Sequence, residues 1–443
     1  MFNRRRFLAA AGAIAGFHIV PRGVVAGADQ PPPSERLNIA GIGVGGQGAG
    51  VLRRLAESGQ NIVALCDVDS QRAAGTFRAY PQADVFQDHR VLLDRSRNID
   101  AVMIATPDHT HASATLAALR AGKHVYVEKP MSHSIEEARV MTQVAKQTGL
   151  VTQVGNQGHA GEGLRLTREW IQAGLIGAVR EVHCWSDRPG KFWSQNIDRP
   201  TDTPPVPDSL DWNLWLGGAP ERPYHPVYCP RAWRGWFDFG TGAMGDMAVH
   251  NMDPAFYALD LDAPIRAEAR TSQPLMAESY PAWSVITYHF AARGDRPAVT
   301  VTWYDGGQMP PRPAELEPDR QLSDNGIYFV GDRGTLLAGG WAGTPRLVPE
   351  SRMRDAELPP RTIPRSIGHH AEWIQACKDG KPEDSQAGFA YSGPYTEALL
   401  VGNLALRLQK PIEWDAAAMQ ATNASEADPL IRKTYRAGFG IES

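Results

Sequence analysis

The chain is poor in cysteine, and its basic residues do not outnumber its acidic ones. Its 443 residues include four cysteines, and no two of them form a C-x-x-C pair: Cys66, Cys184, Cys229 and Cys377. This scatter argues against a metal-binding or disulfide-rich scaffold, although it leaves one isolated disulfide open. With 45 basic and 49 acidic residues, the net charge is -4, and no basic stripe favours nucleic acid as a partner.

Long hydrophobic runs are also scarce, and the one near the N terminus is short. Arg4-Arg5-Arg6-Phe7-Leu8 precedes a weakly apolar run from 8 to 20, and Ala26-Gly27-Ala28 follows as an A-x-A cleavage pattern. The alternative, a basic segment on a membrane anchor, needs a longer apolar run with less glycine. We predict a twin-arginine-type signal peptide over residues 1–28, a linker over 29–35, and a periplasmic protein without a stable membrane anchor.

A glycine-rich loop follows the first strand pattern after that linker. An apolar strand over 36–41 leads into Gly41-Ile-Gly43-Val-Gly-Gly46-Gln47, and a helix pattern begins at residue 48. Glycines in such a loop allow a tight turn and let the backbone approach a pyrophosphate at the helix N-terminus. The loop predicts a dinucleotide site with contacts from Gly41, Gly43, Gly46 and Gln47; a purely turn-forming glycine cluster is the alternative.

Asp67 ends the second apolar strand, roughly 20 residues after the loop, where the dinucleotide fingerprint has an acidic residue. A carboxylate at this position accepts hydrogen bonds from ribose hydroxyls and repels a 2′-phosphate. The sequence therefore favours NAD over NADP as the cofactor.

The remaining pattern predicts two domains. Apolar strands alternate with helices over 36–157, which indicates a Rossmann doubly wound parallel sheet of the α/β class. From 158 to 443 the composition and the hydrophobic pattern change. This part has a Pro- and Trp-rich insertion at 187–237 and strands with alternating polarity at 283–290, 298–304 and 326–337. Helices at 370–378 and 393–408 follow. We expect an α+β domain with a large, mostly antiparallel open sheet.

Two loops at strand ends of the first domain carry candidate binding residues. In Thr106-Pro107-Asp108-His109-Thr110-His111, we predict that Thr106, Pro107, His109 and His111 border the cofactor. A plain strand-to-helix loop, with histidines that face solvent or cap the helix, is the alternative. Because no third ligand is placed beside the two histidines, we predict no metal site.

Glu128-Lys129-Pro130 ends the following strand, at the same edge of the sheet. We predict that Glu128 and Lys129 contact the cofactor. A lysine held in a partly apolar crevice can also donate to a substrate oxygen or share its proton, so Lys129 is a catalytic candidate. The alternative is a surface lysine before a proline turn.

Asp246 and His250 form the strongest signal of the second domain. Their i, i+4 spacing after a glycine-rich approach places both on one helical face, where a general base and a second polar group can contact one substrate. The same spacing suits two metal ligands, or a helix-start Asp with a core His.

Six tryptophans crowd the middle of the chain: Trp185, Trp193, Trp212, Trp215, Trp233 and Trp236. Their faces can stack on sugar C–H surfaces, and Arg234 beside them can bind hydroxyls, but packing is the commoner role of large rings. Trp233 and Arg234 are therefore candidate substrate contacts.

Together these motifs resemble the Gfo/Idh/MocA oxidoreductase family, named in part for glucose–fructose oxidoreductase and inositol dehydrogenase. The segments at 211–216 and 234–240 are similar to a bacterial branch exported by the twin-arginine route. The resemblance implies a sugar or polyol substrate and a homo-oligomer, a dimer or tetramer, with contacts through the open sheet. It places Lys129, Asp246 and His250 around the reacting carbon.

In the roles that the resemblance implies, His250 takes the hydroxyl proton while hydride passes to the nicotinamide. Lys129 hydrogen-bonds the same oxygen, and Asp246 positions the substrate or His250. The chain departs from the family after Val154, where Gly155-Asn-Gln-Gly-His159 replaces a common Arg-Phe segment. Asn156 and His159 are candidate substrate contacts on this departing segment.

Three functions fit these residues. The first is an exported NAD-dependent oxidoreductase acting on a hydroxyl carbon of a sugar or cyclitol. The second is an NAD-recycling enzyme that cleaves a glycoside through transient oxidation of the sugar. The third is a non-catalytic sugar- or dinucleotide-sensing protein, which the joint presence of Lys129 and His250 disfavours. Because little free NAD is expected outside the inner membrane, we also expect a tightly held cofactor and a closed cycle.

Overall fold

The computed structural model describes residues 35–441, so the predicted signal peptide and nearly all of the linker lie outside the described residues. The first unit alternates strands and helices: β1 (Asn38–Ile42), α1 (Gln47–Glu57), β2 (Asn61–Cys66), α2 (Ser70–Ala79), β3 (Asp84–Phe86), α3 (His89–Arg95), β4 (Ala101–Ile104), α4 (Asp108–Arg120), β5 (His124–Val127), α5 (Ile135–Thr148) and β6 (Thr152–Val154).

These six strands form a parallel sheet in the order β3-β2-β1-β4-β5-β6. The order reverses beside β1, and such a switch point opens a crevice at the carboxyl ends of the strands. Strand β4 is buried at all four residues, which explains its continuous apolar sequence. Helix α5 begins at Ile135 because Ser134 and Glu137 form a capping box, and it ends at Thr148 because Gly149 takes a left-handed conformation.

The second unit holds the remaining elements: α6 (Glu162–Gln172), β7 (Val179–Trp185), α7 (Trp212–Leu216), α8 (Val249–Asn251), α9 (Asp253–Leu259), β8 (Arg266–Thr271), β9 (Ser284–Phe290), β10 (Val299–Tyr304), β11 (Gly326–Gly331), β12 (Gly334–Gly339), β13 (Arg346–Val348), α10 (Glu350–Asp355), α11 (His369–Asp379), α12 (Phe389–Leu408), β14 (Ile412–Asp415), β15 (Gln420–Ala421) and α13 (Asp428–Ile431).

Nine of these strands form one sheet in the order β13-β12-β11-β7-β10-β9-β8-β14-β15. Strands β7 and β10 pair in parallel, and their other neighbours are antiparallel. The predicted fold class, a Rossmann sheet followed by a mostly antiparallel sheet, is confirmed. The single strand expected at 326–337 is instead a hairpin of β11 and β12, because the chain turns at Asp332-Arg333 before Gly334.

The two units pack against each other through helices near the C terminus. Helix α12 lies against β8 and β9 and also contacts α5 of the first unit. Helix α11 buries Trp373, Ile374 and Cys377 in the core of the first sheet, although we expected it in the second domain. The chain therefore returns to the Rossmann sheet after building most of the second sheet.

The insertion at 187–237 has little regular structure and is stabilised by the packing of aromatic side chains. Trp212, Trp215 and Trp236 pack with Tyr228 and Phe239 in a separate core cluster, so packing is their role. The insertion also reaches the first sheet, where the Asp211 amide donates to the Val68 carbonyl and the Ser70 amide donates to the Ser209 carbonyl. It thereby spans both units.

The four cysteines are buried free thiols, so none of them pairs in a disulfide. Within residues 35–441, no helix has the length and apolar character that crossing a membrane requires.

Candidate functional site

A cleft of about 880 Å³ opens where the carboxyl ends of the parallel strands face the second unit. Loops after β1, β2, β4 and β5 form one wall, and the insertion and the segment around residue 246 form the other. A volume of this size suits a bound organic ligand, and the position is the usual one for ligands of open α/β sheets.

The glycine loop lies at one end of this cleft, two residues later than the predicted register. Gly41 is inside β1 and does not line the cleft. The turn begins at Gly43, which has φ +77° and whose missing Cβ would lie 2.7 Å from the Ala105 carbonyl. Gly48 starts the tight helix–strand contact, since a Cβ there would lie 2.2 Å from the Gly43 oxygen. The fingerprint is therefore Gly43-x-Gly45-x-x-Gly48.

The start of α1 is open to an anion. The N-cap residue Gly46 provides no side-chain cap, and Gly46 and Gln47 both line the cleft. Backbone amides at such a helix start bind phosphate groups.

Asp67, the predicted ribose contact, lines the cleft beside this loop. Its Oδ2 accepts from the Gly45 amide at 2.8 Å and its Oδ1 accepts from the Asp69 amide at 3.0 Å. Burial raises the pKa of Asp67, while these backbone donors oppose the rise. Arg72 is a cation close to this loop. Its Nη2 lies 2.9 Å from the position that a Cβ on Gly46 would occupy.

In the loop after β4, some of the predicted cofactor contacts line the cleft and others are buried in the packing behind it. Thr106 and Pro107 line the cleft, whereas His109 and His111 are buried behind it. The His109 ring nitrogens lie 3.2 and 3.0 Å from the carbonyls of Phe239 and Trp215, and burial lowers its pKa to about 3. The predicted cofactor contact from His109 is thus replaced by a tie to the second unit.

His111 is also a tie rather than a cleft residue. Its Nδ1 lies 2.7 Å from the Pro130 carbonyl and its Nε2 lies 2.9 Å from the Thr106 carbonyl. It joins the two loops that flank the cleft floor and so fixes the turn that follows Lys129. The sequence of the loop after β4 does not indicate that its two histidines point away from the cleft.

Glu128 and Lys129 both line the cleft. Burial raises the pKa of Glu128, and its Oε1 accepts from Gln157 at 3.2 Å. Lys129 reaches across to the second unit, where its Nζ donates to Asp246 Oδ1 at 2.9 Å and to the Asp246 carbonyl at 2.7 Å. The lysine is therefore an interior residue and not a surface lysine.

Asp246 is held by three cations. Besides Lys129, Arg234 Nε lies 3.2 Å from its Oδ1 and Arg188 Nε lies 3.4 Å from its Oδ2. Burial alone would raise the pKa of Asp246, but the charges of Lys129, Arg234 and Arg188 hold it well below its usual range. The carboxylate is therefore ionised at neutral pH.

Asp246 and His250 line the same cleft, but not from the regular helix that their spacing predicts. Met244–Ala248 is a π-helical turn, which passes into the short helix α8. Gly245 packs against Thr241 so closely that a Cβ would lie 1.8 Å from Oγ1, and Thr241 is tied to buried Asp108. This close approach accompanies the widened turn, a form common at functional sites.

His250 is buried at the cleft floor, and burial together with the Lys129 charge lowers its pKa to about 3. Its Nδ1 lies 2.5 Å from Asn156 Oδ1. The Asn156 amide nitrogen donates to the Val249 carbonyl and to Asp253 Oδ2, which fixes Oδ1 as the atom facing His250. Nδ1 therefore carries the hydrogen, and Nε2 keeps a free lone pair.

Asn156 and His159 do not line the cleft, contrary to their prediction as substrate contacts. Both stand behind His250 around buried Asp253, whose oxygens also accept from Tyr391 at 2.6 Å. His159 Nδ1 lies 2.9 Å from Asp253 Oδ2. Both side-chain polar atoms of Asn156 are used by this network, which also holds His159 through Nδ1, so the two residues position His250 from behind the cleft.

Trp233 and Arg234, the predicted substrate contacts, line the cleft, and so do three residues that the sequence did not single out: Gln157, Arg188 and Trp341. Trp341 is 47% exposed, has φ 55°, and its ring centroid lies 6.2 Å from that of His250. A large residue in a left-handed conformation points to function, but this signal exists in the backbone and not in the sequence.

Comparison with known proteins agrees with this architecture. A family model for the Gfo/Idh/MocA oxidoreductases, described as an NAD-binding Rossmann fold, matches residues 37–156, and the model of their C-terminal alpha/beta domain matches 164–296. Among solved structures, the WlbA dehydrogenase of Bordetella pertussis, in complex with NADH and UDP-GlcNAcA, superposes with a TM-score of 0.60 at 20% identity. The match covers 86% of this chain and 99% of that one.

Two curated proteins have local similarity. Inositol 2-dehydrogenase of Burkholderia multivorans is 35% identical over 33% of this chain and 45% of its own length. Levoglucosan dehydrogenase of Pseudarthrobacter phenanthrenivorans is 26% identical over 47% of this chain and 45% of its own length. The chain thus matches less than half the length of these relatives. Since both domain models match, over more than half of the chain in total, the protein belongs to the Gfo/Idh/MocA oxidoreductase family.

Proposed function

We propose that this protein is an NAD-dependent dehydrogenase that oxidises a hydroxyl carbon of a sugar or polyol. The observation that carries the proposal is the meeting of Lys129, Asp246 and His250 at one end of a cleft whose other end is a dinucleotide loop. Relatives named for inositol and levoglucosan support the substrate class.

The residues of the cleft fit NAD. The turn at Gly43 and the uncapped start of α1 suit a pyrophosphate, and Asp67 suits ribose hydroxyls. When bound, NAD supplies the hydride acceptor. Glu128 and Gln157, at the junction of the two ends, would contact the nicotinamide half.

The chain's own residues then move the proton. His250 is neutral at pH 7 because its pKa is about 3, so its Nε2 lone pair can accept the hydroxyl proton. Lys129 donates to the same substrate oxygen and stabilises the charge that develops on it. Asp246 fixes the lysine by two hydrogen bonds and does not itself exchange a proton.

A strongly depressed pKa makes His250 a weak base for a free alcohol. Lys129 compensates for this, because its charge lowers the pKa of a hydroxyl that it contacts. The buried Asn156 amide keeps the ring in the correct tautomer throughout.

We propose NAD over NADP because the Asp67 carboxylate stands where a 2′-phosphate would approach. Arg72 is the counter-argument, since an arginine beside that position can hold the phosphate. Release of the bound cofactor by acid, followed by chromatography, separates the two. Mostly NADP in the extract contradicts this choice.

We further propose, as the sequence suggests, an exported protein that keeps its cofactor. The support within the fold is the insertion, which pairs with Asp69 at Leu210 and lines the adenosine end of the cleft. Gly438 and Phe439 near the C terminus contact Arg90 at the same end. Extended dialysis followed by assay without added NAD tests this: a need for stoichiometric free NAD leaves a conventional dehydrogenase, and continued turnover supports a closed cycle.

An oligomer through the second sheet is also a proposal. Half-buried polar residues such as Thr287, His289 and Thr300 lie on one face of the sheet. Light scattering coupled to size exclusion measures the mass, and a monomer at micromolar concentration would remove the proposal.

The dehydrogenase proposal is tested with purified protein, NAD and a panel of sugars and cyclitols, by following the absorbance of reduced nicotinamide. Sugar-dependent reduction that is lost in the Lys129→Ala variant supports it. The absence of any reduction, with NADH binding intact, would favour the glycoside-cleaving or sensing functions and contradict a simple dehydrogenase.

A further inference from the structure

The catalytic end of the cleft holds more positive charge than its chemistry needs. Lys129, Arg188 and Arg234 all approach the single carboxylate of Asp246, at 2.9, 3.4 and 3.2 Å. The side chains of Lys129, Arg188 and Asp246 are only 16, 13 and 11% exposed, so solvent screens them weakly. One negative charge among three positive ones leaves an excess of positive charge at this end of the cleft.

Other acids nearby offset this excess of positive charge only in part. Asp187 pairs with Arg188 at 2.6 Å, but from a side chain that is 39% exposed. Glu128 lies near Lys129, yet burial raises its pKa, which weakens its compensation. No negative group other than Asp246 pairs with Arg234, as far as residues 35–441 show.

Arg234 also has donors to spare. Its Nε is used by Asp246, and its Nη1 has one long contact of 3.5 Å to the Arg231 carbonyl. Its Nη2 bonds no acceptor of the described chain, and the side chain of Arg231, which also lines the cleft, has no described ion pair or hydrogen bond. Two guanidinium groups therefore present free donors to the cleft.

Aromatic rings hold the planes of two arginines at Asp246, Arg234 and Arg188. The Arg234 guanidinium carbon lies 4.2 Å from the Trp233 ring centroid, and that of Arg188 lies 3.3 Å from the Phe192 centroid. Stacking reduces the rotamer freedom that binding would otherwise remove. A stacked, charged fork with free Nη donors matches an oxyanion in two-point contact.

We propose that the substrate is an anionic sugar, with a carboxylate or another oxyanion bound by Arg234 and Arg231 while its reacting hydroxyl lies at Lys129 and His250. This inference rests on the proposed function for the hydroxyl and extends it to the substrate class. The shared chemistry is a negatively charged oxygen group; a uronic or aldonic acid and a sugar phosphate are its two sources.

Binding is measured without turnover, on the NADH-loaded protein, as the shift in melting temperature with matched pairs of ligands. The pairs are galactose and galacturonate, glucose and glucuronate, and glucose and gluconate; glucose 6-phosphate distinguishes phosphate from carboxylate. We expect at least one acid to raise the melting temperature well beyond its neutral partner. If no acid in the panel exceeds its neutral partner, the proposal is wrong.

Variants locate the effect. Arg234→Met should weaken binding of the acid by about 10- to 100-fold, because a charge-assisted bidentate contact is lost, and Arg234→Lys should restore it in part. Arg199→Met is the matched control in the same insertion, since Arg199 is exposed, pairs with Glu278 and does not line the cleft. Unchanged acid binding in both Arg234→Met and Arg231→Met would overturn the assignment.

The same panel separates this inference from the proposed function. Reduction of NAD by neutral sugars with no preference for acids would keep the dehydrogenase and remove the anionic substrate. Tight binding of an acid without any NAD reduction would keep the anionic ligand and remove the dehydrogenase.

Discussion

The two ends of the cleft are built in different ways. The dinucleotide end is made from one continuous loop, Gly43 to Gly48, whose backbone amides and missing side chains provide the site, with Asp67 beside it. The other end, which we propose as the catalytic end, is made from side chains that converge from the first sheet, the insertion and the π-helical turn. A contiguous backbone site tolerates changes in its neighbours, whereas a convergent side-chain site depends on the packing of both units.

The largest effect is expected at the catalytic end. Lys129→Ala and His250→Ala should each lower kcat by roughly 10²–10⁴, the range for loss of a proton-transfer group. NADH affinity, measured by fluorescence titration, should change little because the dinucleotide end is intact. Lys146→Ala, an exposed change on α5, is the control. Near-normal turnover in either variant would remove that residue from the mechanism.

A smaller effect is expected at the dinucleotide end. Asp67→Asn keeps an oxygen for the Gly45 amide but removes the negative charge. We expect the ratio of kcat/KM for NADP to that for NAD to rise about 10- to 100-fold, as hydrogen bonds to a charged group would suggest. Steady-state kinetics with both cofactors measures the ratio. An unchanged ratio would mean that Arg72, and not Asp67, controls the choice.

Protonation of His250 links the catalytic end to stability. The pKa of His250 is about 3 in the folded state and about 6.5 in the unfolded state. Between these two pH values the unfolded state binds a proton and the folded state does not. Stability is therefore lost as the pH falls below about 6.5, by about 2 kcal/mol from this residue between pH 7 and 5. Urea unfolding of the wild type and His250→Asn at both pH values isolates the difference.

Equal pH dependence in the two proteins would show that His250 titrates normally and is not buried as described. Buried His109, whose pKa is also about 3, contributes a similar slope to both proteins and cancels in the comparison.

The smallest effect concerns the residues behind His250. Asn156→Ala should lower kcat about tenfold, since the ring loses the acceptor that fixes its tautomer. Asn156→Asp places a carboxylate beside Nδ1 of His250, so the pKa of His250 should rise. The acid limb of the pH–rate profile should then move to higher pH. A merely structural role for Asn156 would lower activity without moving that limb.

Sequence reasoning reached the contiguous end better than the convergent end. The strands and helices of the first sheet follow from buried apolar runs and caps, as Ser134 and Gly149 show for α5. Even there, overlapping glycines left the register of the loop two residues early. The true first glycine is identified by its positive φ at residue 43, and no sequence pattern reports that angle.

At the convergent end, the sequence identified the chemical groups but not their surroundings. Lys129, Asp246 and His250 were found by type and spacing, whereas Arg188 and Trp341 come from irregular segments whose course depends on tertiary packing. Asn156 and His159 were placed near the right group and given the wrong role, because sequence proximity to the cleft does not say which way a side chain points.

The most direct test of the central claim is a single-turnover measurement with NAD-loaded protein and the sugars and sugar acids of the panel. The account predicts that at least one of them reduces the bound nicotinamide, seen by its absorbance, in the wild type but not in His250→Ala. Reduction of equal rate and extent in both proteins, or no reduction by any panel member while NADH still binds, would contradict hydride transfer at this site.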